Sequence, residues 1–261
     1  MDAVCLSETI AVRSDIVEVT AGWGLREESA QVCAARLGRM LELFAGVHSA
    51  FTRLMWTGRG RGVPTRDMQS LRELGLLEGL LDLQRTHDDA GKHWLRDGYR
   101  LTATTGLDAT KVLALTVRVG RHLDHRHVAR FGNTVTVAIS ALGDPAIGGM
   151  PPEALKPIVI ALVEAWQPEW AGAFSAFYGA KSKPRRWPIP FYSGRWMIYL
   201  SESLAQKVIA PASVLVERMP CGGLFMRATD QPFDHENTEH VRAANAIQAC
   251  LAPFETWCCG F

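Results

Sequence analysis

The chain has 261 residues, of which 48% are hydrophobic and 21% charged, and this globular composition excludes wholesale disorder. Its 28 basic and 27 acidic side chains leave a formal charge of +1, which disfavours a protein that binds nucleic acid through an overall basic surface. No apolar run reaches the ~18 residues of a membrane helix, and no basic start followed by an apolar core marks a secretory signal. We therefore expect a cytoplasmic protein that does not enter a membrane.

The first third of the chain is predicted to form one strand and two helices. Residues 16–23 are typical of a strand that ends at a Gly-Trp-Gly turn. Residues 28–47 are predicted to be helical because apolar side chains recur there at intervals of three and four. A basic, glycine-rich loop at 58–62 precedes a second predicted helix at 65–83, for which Thr65 is a suitable N-cap.

The rest of the chain groups its strands together instead of alternating them with helices. Strands are predicted at 99–105, 112–119, 134–141, 171–178, 194–200, 214–218 and 224–229, and helices from about 152 to Pro168 and from Asn237 to Leu251. This order favours an α+β fold with a largely antiparallel sheet flanked by about four helices. We expect a single domain over residues 1–261, in which the Gly- and Pro-rich break at 143–152 is where two lobes would meet.

Six cysteines are present, and their spacing is unlike that of a small disulfide-stapled domain. Cys33 and Cys250 fall on apolar faces of predicted helices and are expected to be buried thiols. The adjacent Cys258 and Cys259, near the C-terminus, are expected to be reduced.

Motifs for catalysis are few. The chain has no phosphate-binding glycine loop followed by Lys and Ser or Thr, and no Gly-x-Ser-x-Gly nucleophile elbow. We therefore expect neither a cofactor nor a catalytic site. One enzymatic alternative is a metal-dependent hydrolase that uses His122, His125 and His127, since imidazoles bind transition metals. These histidines lie between predicted strands, with Asp124 as the best further ligand, and a solvated polar connection is the interpretation that we prefer.

A second alternative is a nucleic-acid-binding module. Three loops are basic, and phosphates attract such side chains, while an exposed aromatic ring such as Trp187 would stack on bases. The loop at 181–192 contains three prolines and is predicted to be exposed. Charged surface loops are nevertheless common in proteins that bind no nucleic acid. The basic residues of the three loops are Arg59, Arg61 and Arg66; Arg118, Arg121, Arg126 and Arg130; and Lys181, Lys183, Arg185 and Arg186.

Several segments, taken in order, resemble the bacterial immunity protein 52 family. Residues 22–30, with Trp23, Arg26 and Glu28, are similar to its opening signature before the first helix. Residues 165–170 and 194–201 are similar to its Trp-x-Pro-x-Trp and Gly-Trp-x-x-Tyr-Leu-Ser segments. The sequence departs from the pattern at Arg195, which separates the glycine from the tryptophan, and in a basic insertion around 181–190. The family-like residues are Trp23, Arg26, Glu28, Trp166, Trp170, Trp196 and Tyr199, and shorter matches lie at 216–218, 222–223 and 233–237.

The resemblance implies a protein that binds and neutralises a nuclease toxin. The toxin would have a restriction-endonuclease-like fold and be delivered by type VI secretion, and inhibition would be stoichiometric occlusion and not catalysis. The turn around Trp23 is expected to be structural in the first place, with its indole packed under the first helix. Residues considered for toxin contact are Asp82, Asp88, Asp89, Arg185, Arg186, Trp187, Asp234 and Glu236.

Overall fold

The computed structural model describes residues 16–56, 74–83, 98–105, 113–121, 132–140, 142–143, 149–175 and 195–254. Within these ranges it contains nine strands and five α-helices. The strands are β1 (Val17–Trp23), β2 (Met55–Trp56), β3 (Tyr99–Thr104), β4 (Leu113–Val119), β5 (Asn133–Ile139), β6 (Trp170–Ser175), β7 (Arg195–Leu200), β8 (Leu215–Arg218) and β9 (Leu224–Arg227). The helices are α1 (Ala30–Val47), α2 (Leu74–Leu83), α3 (Leu155–Trp166), α4 (Glu202–Ala205) and α5 (Thr238–Cys250).

The described strands form one sheet in the order β2-β3-β4-β5-β1-β6-β7-β9-β8, and every neighbouring pair is antiparallel. The α+β fold with an antiparallel sheet is thus confirmed. The first strand of the chain lies at the centre, where it pairs with β5 on one side and β6 on the other. Strands before and after the break at 143–152 therefore lie in one continuous sheet.

Side chains cap the N-termini of α1 and α5, and a left-handed residue ends α3. Ser29 precedes α1 and its Oγ accepts a hydrogen bond from Val32 N at 3.3 Å. Asn237 caps α5 as predicted, with its Oδ1 3.0 Å from Glu239 N. At the end of α3, Gln167 adopts a left-handed conformation with φ of 48° and donates its N–H to Val163 O.

The elements that the sequence did not predict are short. β2 has two residues and α4 has four, and both are too short to show a hydrophobic period. The part of the second predicted helix before Leu74 and the predicted loops at 58–62 and 181–192 lie outside the described residues.

Two layers of helix cover the sheet to different extents. On one face, α1, α2 and α3 close a large core that includes inward residues of β1, β3, β4 and β5. On the other face, α4 and α5 pack on β7, and α5 also on β9, around a second and smaller core. The second face of β3, β4 and β5 carries partly exposed threonine and alanine side chains instead.

Candidate functional site

The family-like segment at residues 22–30 forms the turn that leads from β1 into α1. Trp23, the last residue of β1, is 2% exposed, and its ring stacks on Trp166 with centroids 5.3 Å apart and planes 22° apart. The guanidinium carbon of Arg26 lies 5.1 Å from the centroid of the Trp23 ring. The prediction that Trp23 packs within the fold is confirmed, and its ring anchors the turn.

A charged network joins the start of α1 to the end of α3. The carboxylate of Glu28 forms salt bridges with Arg26 Nε at 3.0 Å and with Arg36 Nε at 2.8 Å, and the Glu28 side chain is 6% exposed. The same two guanidiniums donate to backbone carbonyls, Arg26 to Trp166 O and Arg36 to Ala165 O, each at 3.0 Å. These carbonyls lie at the C-terminus of α3, where helical acceptors lack intrahelical donors and the dipole favours positive charge. We call Arg26, Glu28 and Arg36 the Glu28 network.

A buried asparagine fixes the same turn from the side of the sheet. Asn133 is 0% exposed, and its Nδ2 donates to Gly24 O at 2.7 Å and to Arg121 O at 3.1 Å. Its Oδ1 accepts from Arg121 N at 2.9 Å. From the other side, Glu169 Oε1 accepts from Gly24 N at 3.2 Å. Sequence reasoning missed Asn133 and Glu169, although an asparagine that begins a strand is unusual enough to be a signal.

The remaining family-like aromatic residues are buried. Trp166 is 0%, Trp170 2%, Trp196 6% and Tyr199 4% exposed. A Cβ on Gly22 would lie 2.6 Å from the Trp170 indole, so only glycine lets that ring cross β1. Tyr199 Oη lies 3.4 Å from Cys221 Sγ, and burial raises the pKa of this phenol well above its usual range. These side chains hold the sheet together from within.

The departure at Arg195 coincides with a β-bulge in the pairing of β6 with β7. Phe174 lies opposite Arg195, whereas Ala173 lies opposite Met197, so Trp196 is the additional residue. The bulge turns Trp196 into the same core as Met197 and Tyr199. Arg195 is 3% exposed, and this burial lowers the pKa of its guanidinium. The extra residue is thus accommodated without disturbing the strand that follows.

Among the described residues considered for toxin contact, Asp82 lies apart from Asp234 and Glu236. Asp82 is partly buried in α2, which packs on α1 and β3, while Asp234 and Glu236 are exposed before α5, near the opposite end of the sheet. Asp234 stabilises its own turn, because its Oδ1 accepts a hydrogen bond from Glu236 N at 2.8 Å. Glu236 borders a shallow groove of about 400 Å³ with His235, Thr238, Val241, Arg242 and Asn245.

Other candidates lie outside the described residues, and their predictions stay predictions. These are Asp88, Asp89, Arg185, Arg186, Trp187, His122, His125, His127, Cys258 and Cys259.

Within the described part of the chain, no group of three His, Cys, Asp or Glu side chains is placed to hold a metal ion. None of the helices in that part has the length and apolar character needed to cross a membrane. Cys33 is buried as predicted, and burial raises the pKa of its thiol to about 12, whereas Cys250 is partly buried.

Residues 16–254 match the family model described as Immunity protein 52. No curated protein matches the chain in sequence. Among solved structures, the chain is similar to the Pseudomonas aeruginosa T6SS protein PA0821, with a TM-score of 0.55 and 13% sequence identity. The alignment covers 90% of this chain and 74% of that chain, and at this identity it shows a shared fold alone.

Proposed function

The chain belongs to the immunity protein 52 family, and we propose that it protects its cell by binding one molecule of a toxin and blocking it without covalent change. The observation that carries this proposal is the family match, which extends over all of the described residues. As an immunity protein it would work as a partner in a complex and not as a catalyst.

The burial of the family-like residues supports a binding function. Trp23, Trp166 and the Glu28 network tie the first turn to α1 and α3, and their contacts are internal to the chain. Such a network makes the surrounding surface rigid before a partner arrives. A preorganised surface loses less conformational entropy on association, which favours tight binding.

We further propose that the toxin is a nuclease with a restriction-endonuclease-like fold, delivered by type VI secretion. The resemblance of the motif segments to the family supports a nuclease partner. The Pseudomonas aeruginosa protein of the same fold carries T6SS in its name, which supports the secretion route. Because such a toxin would act on DNA, the immunity protein would be needed in the cytoplasm.

The decisive experiment is a titration of DNA cleavage by the co-encoded toxin. Cleavage should fall to zero near one equivalent of this protein, with a nanomolar or lower Kd, which corresponds to about −12 kcal/mol or stronger. Active toxin should return when the complex is separated in denaturant and refolded. Silencing by substoichiometric amounts, with toxin that stays inactive after separation, would show that this protein is an enzyme.

The same preparation tests the metal-dependent alternative. Elemental analysis should find far less than one zinc or iron per chain. One metal per chain that disappears in a His125→Ala variant would support a hydrolase and count against the proposed function.

A further inference from the structure

The second face of the sheet presents a regular array of polar side chains on β3, β4, β5 and β1. We call this array the open face, meaning the residues of these strands that point away from α1. Four of its threonines lie in register across the four strands, and Thr20 Oγ1 donates to Thr136 Oγ1 at 3.1 Å. The row consists of Thr102, Thr116, Thr136 and Thr20. Short β-branched side chains in one row make a flat surface on which another protein can pack closely.

The next row of the open face contains two arginines directly opposite each other. Arg100 of β3 pairs with Arg118 of β4, and both are exposed. Like charges at directly opposed positions of an antiparallel pair are destabilising. Partial burial lowers the pKa of the Arg118 guanidinium, and the positive charges of Arg100 and Arg121 lower it further. The two neighbouring arginines therefore disfavour the charged form of Arg118. Among the described residues, neither Arg100 nor Arg118 has an ion-pair partner.

The arginines of the Glu28 network have an acidic partner, although they lie at the same end of the sheet as Arg100 and Arg118. Arg26 and Arg36 each contact Glu28 and a carbonyl at the end of α3. The fold therefore neutralises the arginines that it uses internally. In the described part of the chain, Arg100 and Arg118 instead lie opposite each other on the surface without a carboxylate that pairs with either.

An exposed apolar side chain lies beside this basic cluster. Leu25, in the turn after β1, is 44% exposed. A Cβ on Gly132 would lie 3.0 Å from Arg121 Cδ and 3.1 Å from Leu25 Cδ2, so both side chains approach the same glycine. Arginine and an exposed apolar group side by side are typical of protein interfaces, where Arg is enriched. We call Leu25, Arg100, Arg118 and Arg121 the arginine end of the open face.

We propose that the arginine end of the open face is a docking site for an acidic segment of the toxin. This inference rests on the proposed function. A guanidinium presents a planar fork that matches a carboxylate in two parallel hydrogen bonds. Carboxylates placed between Arg100 and Arg118 would also remove the repulsion between them. This repulsion destabilises the free protein, and binding of the carboxylates would remove it.

A protein partner fits this face better than a nucleic acid does. Nucleic-acid binding relies on several phosphate contacts along a continuous basic track. On the open face the described basic side chains are confined to one end, and the row beyond the threonines contains Ala114, Ala138 and Glu18. A carboxylate at that position would repel a phosphate backbone laid across the strands, whereas an acidic segment of a protein needs only the basic end.

The test uses the full chain with Arg118→Glu, and Arg53→Glu as a matched control. Arg53 is also exposed, but it precedes β2, which pairs with the far end of β3, away from the arginine end. Calorimetric titration of the toxin should show a Kd raised by ~30-fold or more for Arg118→Glu, the scale of an interface hot spot. The control should stay within about threefold of wild type, as expected for a charge outside the contact. Thermal unfolding should show that Arg118→Glu is no less stable than wild type, because it places Glu opposite Arg100.

The outcomes are distinguishable. If wild-type protein fails to bind the toxin, the proposed function is wrong and the docking site with it. If wild type binds and both variants bind equally well, the toxin docks elsewhere and only this inference is overturned. If the protein instead binds duplex DNA in a salt-dependent manner that Arg118→Glu abolishes, the arginine end recognises phosphate and the inference is again overturned.

Discussion

The two halves of the sheet differ in how many of their faces are buried. In β4 and β5 every second residue is buried and most residues between are partly exposed. In β6 and β7 all six residues of each strand are buried. We call β3, β4 and β5 the one-sided half and β6, β7 and β9 the two-sided half. β1 lies at the boundary between them, where Trp170 covers Gly22.

This difference in burial shows on which strands side chains can be changed without disturbing the main core. Antiparallel strands with one solvated face alternate apolar and polar residues, whereas strands covered on both faces need apolar residues throughout. In the two-sided half most apolar side chains therefore belong to one of two cores. In the one-sided half the second set of side chains does not take part in the main core, so it is available for recognition.

The largest expected effect is the loss of an aromatic ring from the two-sided half. Phe225 of β9 is 1% exposed and belongs to the large core. Phe225→Ala should lower the free energy of unfolding by about 3–5 kcal/mol, because it removes buried area and leaves a cavity. Urea denaturation monitored by circular dichroism measures this value. A loss below about 1 kcal/mol would mean that the region collapses freely around the cavity and is not tightly packed.

Removal of the charge of Glu28 should have the next largest effect. Glu28→Gln keeps the shape of the side chain but takes away the carboxylate that two guanidiniums share. We expect a loss of about 1.5–3 kcal/mol, because the two guanidiniums would lose the opposite charge that balances them beside a largely buried site. Glu42→Gln is the matched control, since Glu42 is 60% exposed and 3.5 Å from Arg39. The control should change stability by less than about 0.5 kcal/mol, and equal losses in the two variants would show that the Glu28 network is not structural.

The contrast between the halves is visible in the sequence, but the Glu28 network is not. The alternation of β4 and β5 and the apolar runs of β6 and β7 indicate strands, and α1, α3 and α5 were predicted close to their observed bounds. Periodicity reports only local structure, however. The acceptors of Arg26 and Arg36 lie 140 and 129 residues away, so the role of these arginines depends on tertiary packing.

The register of the sheet is a second limit on prediction. Arg100 and Arg118 both lie in predicted strands, but their opposition follows from the pairing of β3 with β4. The central position of β1, between β5 and β6, likewise follows from long-range pairing. The bulge at Trp196 was visible only as an extra residue in the family-like segment. Which side chains share a surface could therefore not be derived from the chain order.

A small effect is expected from the threonine row of the one-sided half. Thr136→Val keeps the β-branched shape and removes the hydroxyl that accepts a hydrogen bond from Thr20. The free energy of unfolding should fall by no more than about 1 kcal/mol, the net value of an ordinary hydrogen bond. Urea denaturation compared with Phe225→Ala provides the test. A loss as large as that of Phe225→Ala would contradict the distinction between a one-sided and a two-sided half.

The smallest effect, and one of opposite sign, is expected at Glu18 on the boundary strand. Burial raises the pKa of this carboxyl above 4.5, so the folded protein holds the proton more tightly than the unfolded chain does. Its favourable contribution is therefore complete below the unfolded value near 4.5 and is lost as the pH rises through the higher folded value. At pH 7 the buried carboxylate is a cost, and Glu18→Gln should unfold at a slightly higher urea concentration than wild type.

The pH dependence separates this explanation from a general effect of the amide. The advantage of Glu18→Gln should shrink as the pH is lowered towards 4, where the wild-type carboxyl becomes protonated and resembles the amide in charge. Urea midpoints measured for both proteins at pH 7 and pH 4 provide the comparison. An advantage of equal size at both pH values would mean that the amide makes new contacts, while a loss of stability at pH 7 would show that the carboxylate is well solvated. Only the second of these outcomes would place Glu18 among the solvated side chains of the one-sided half.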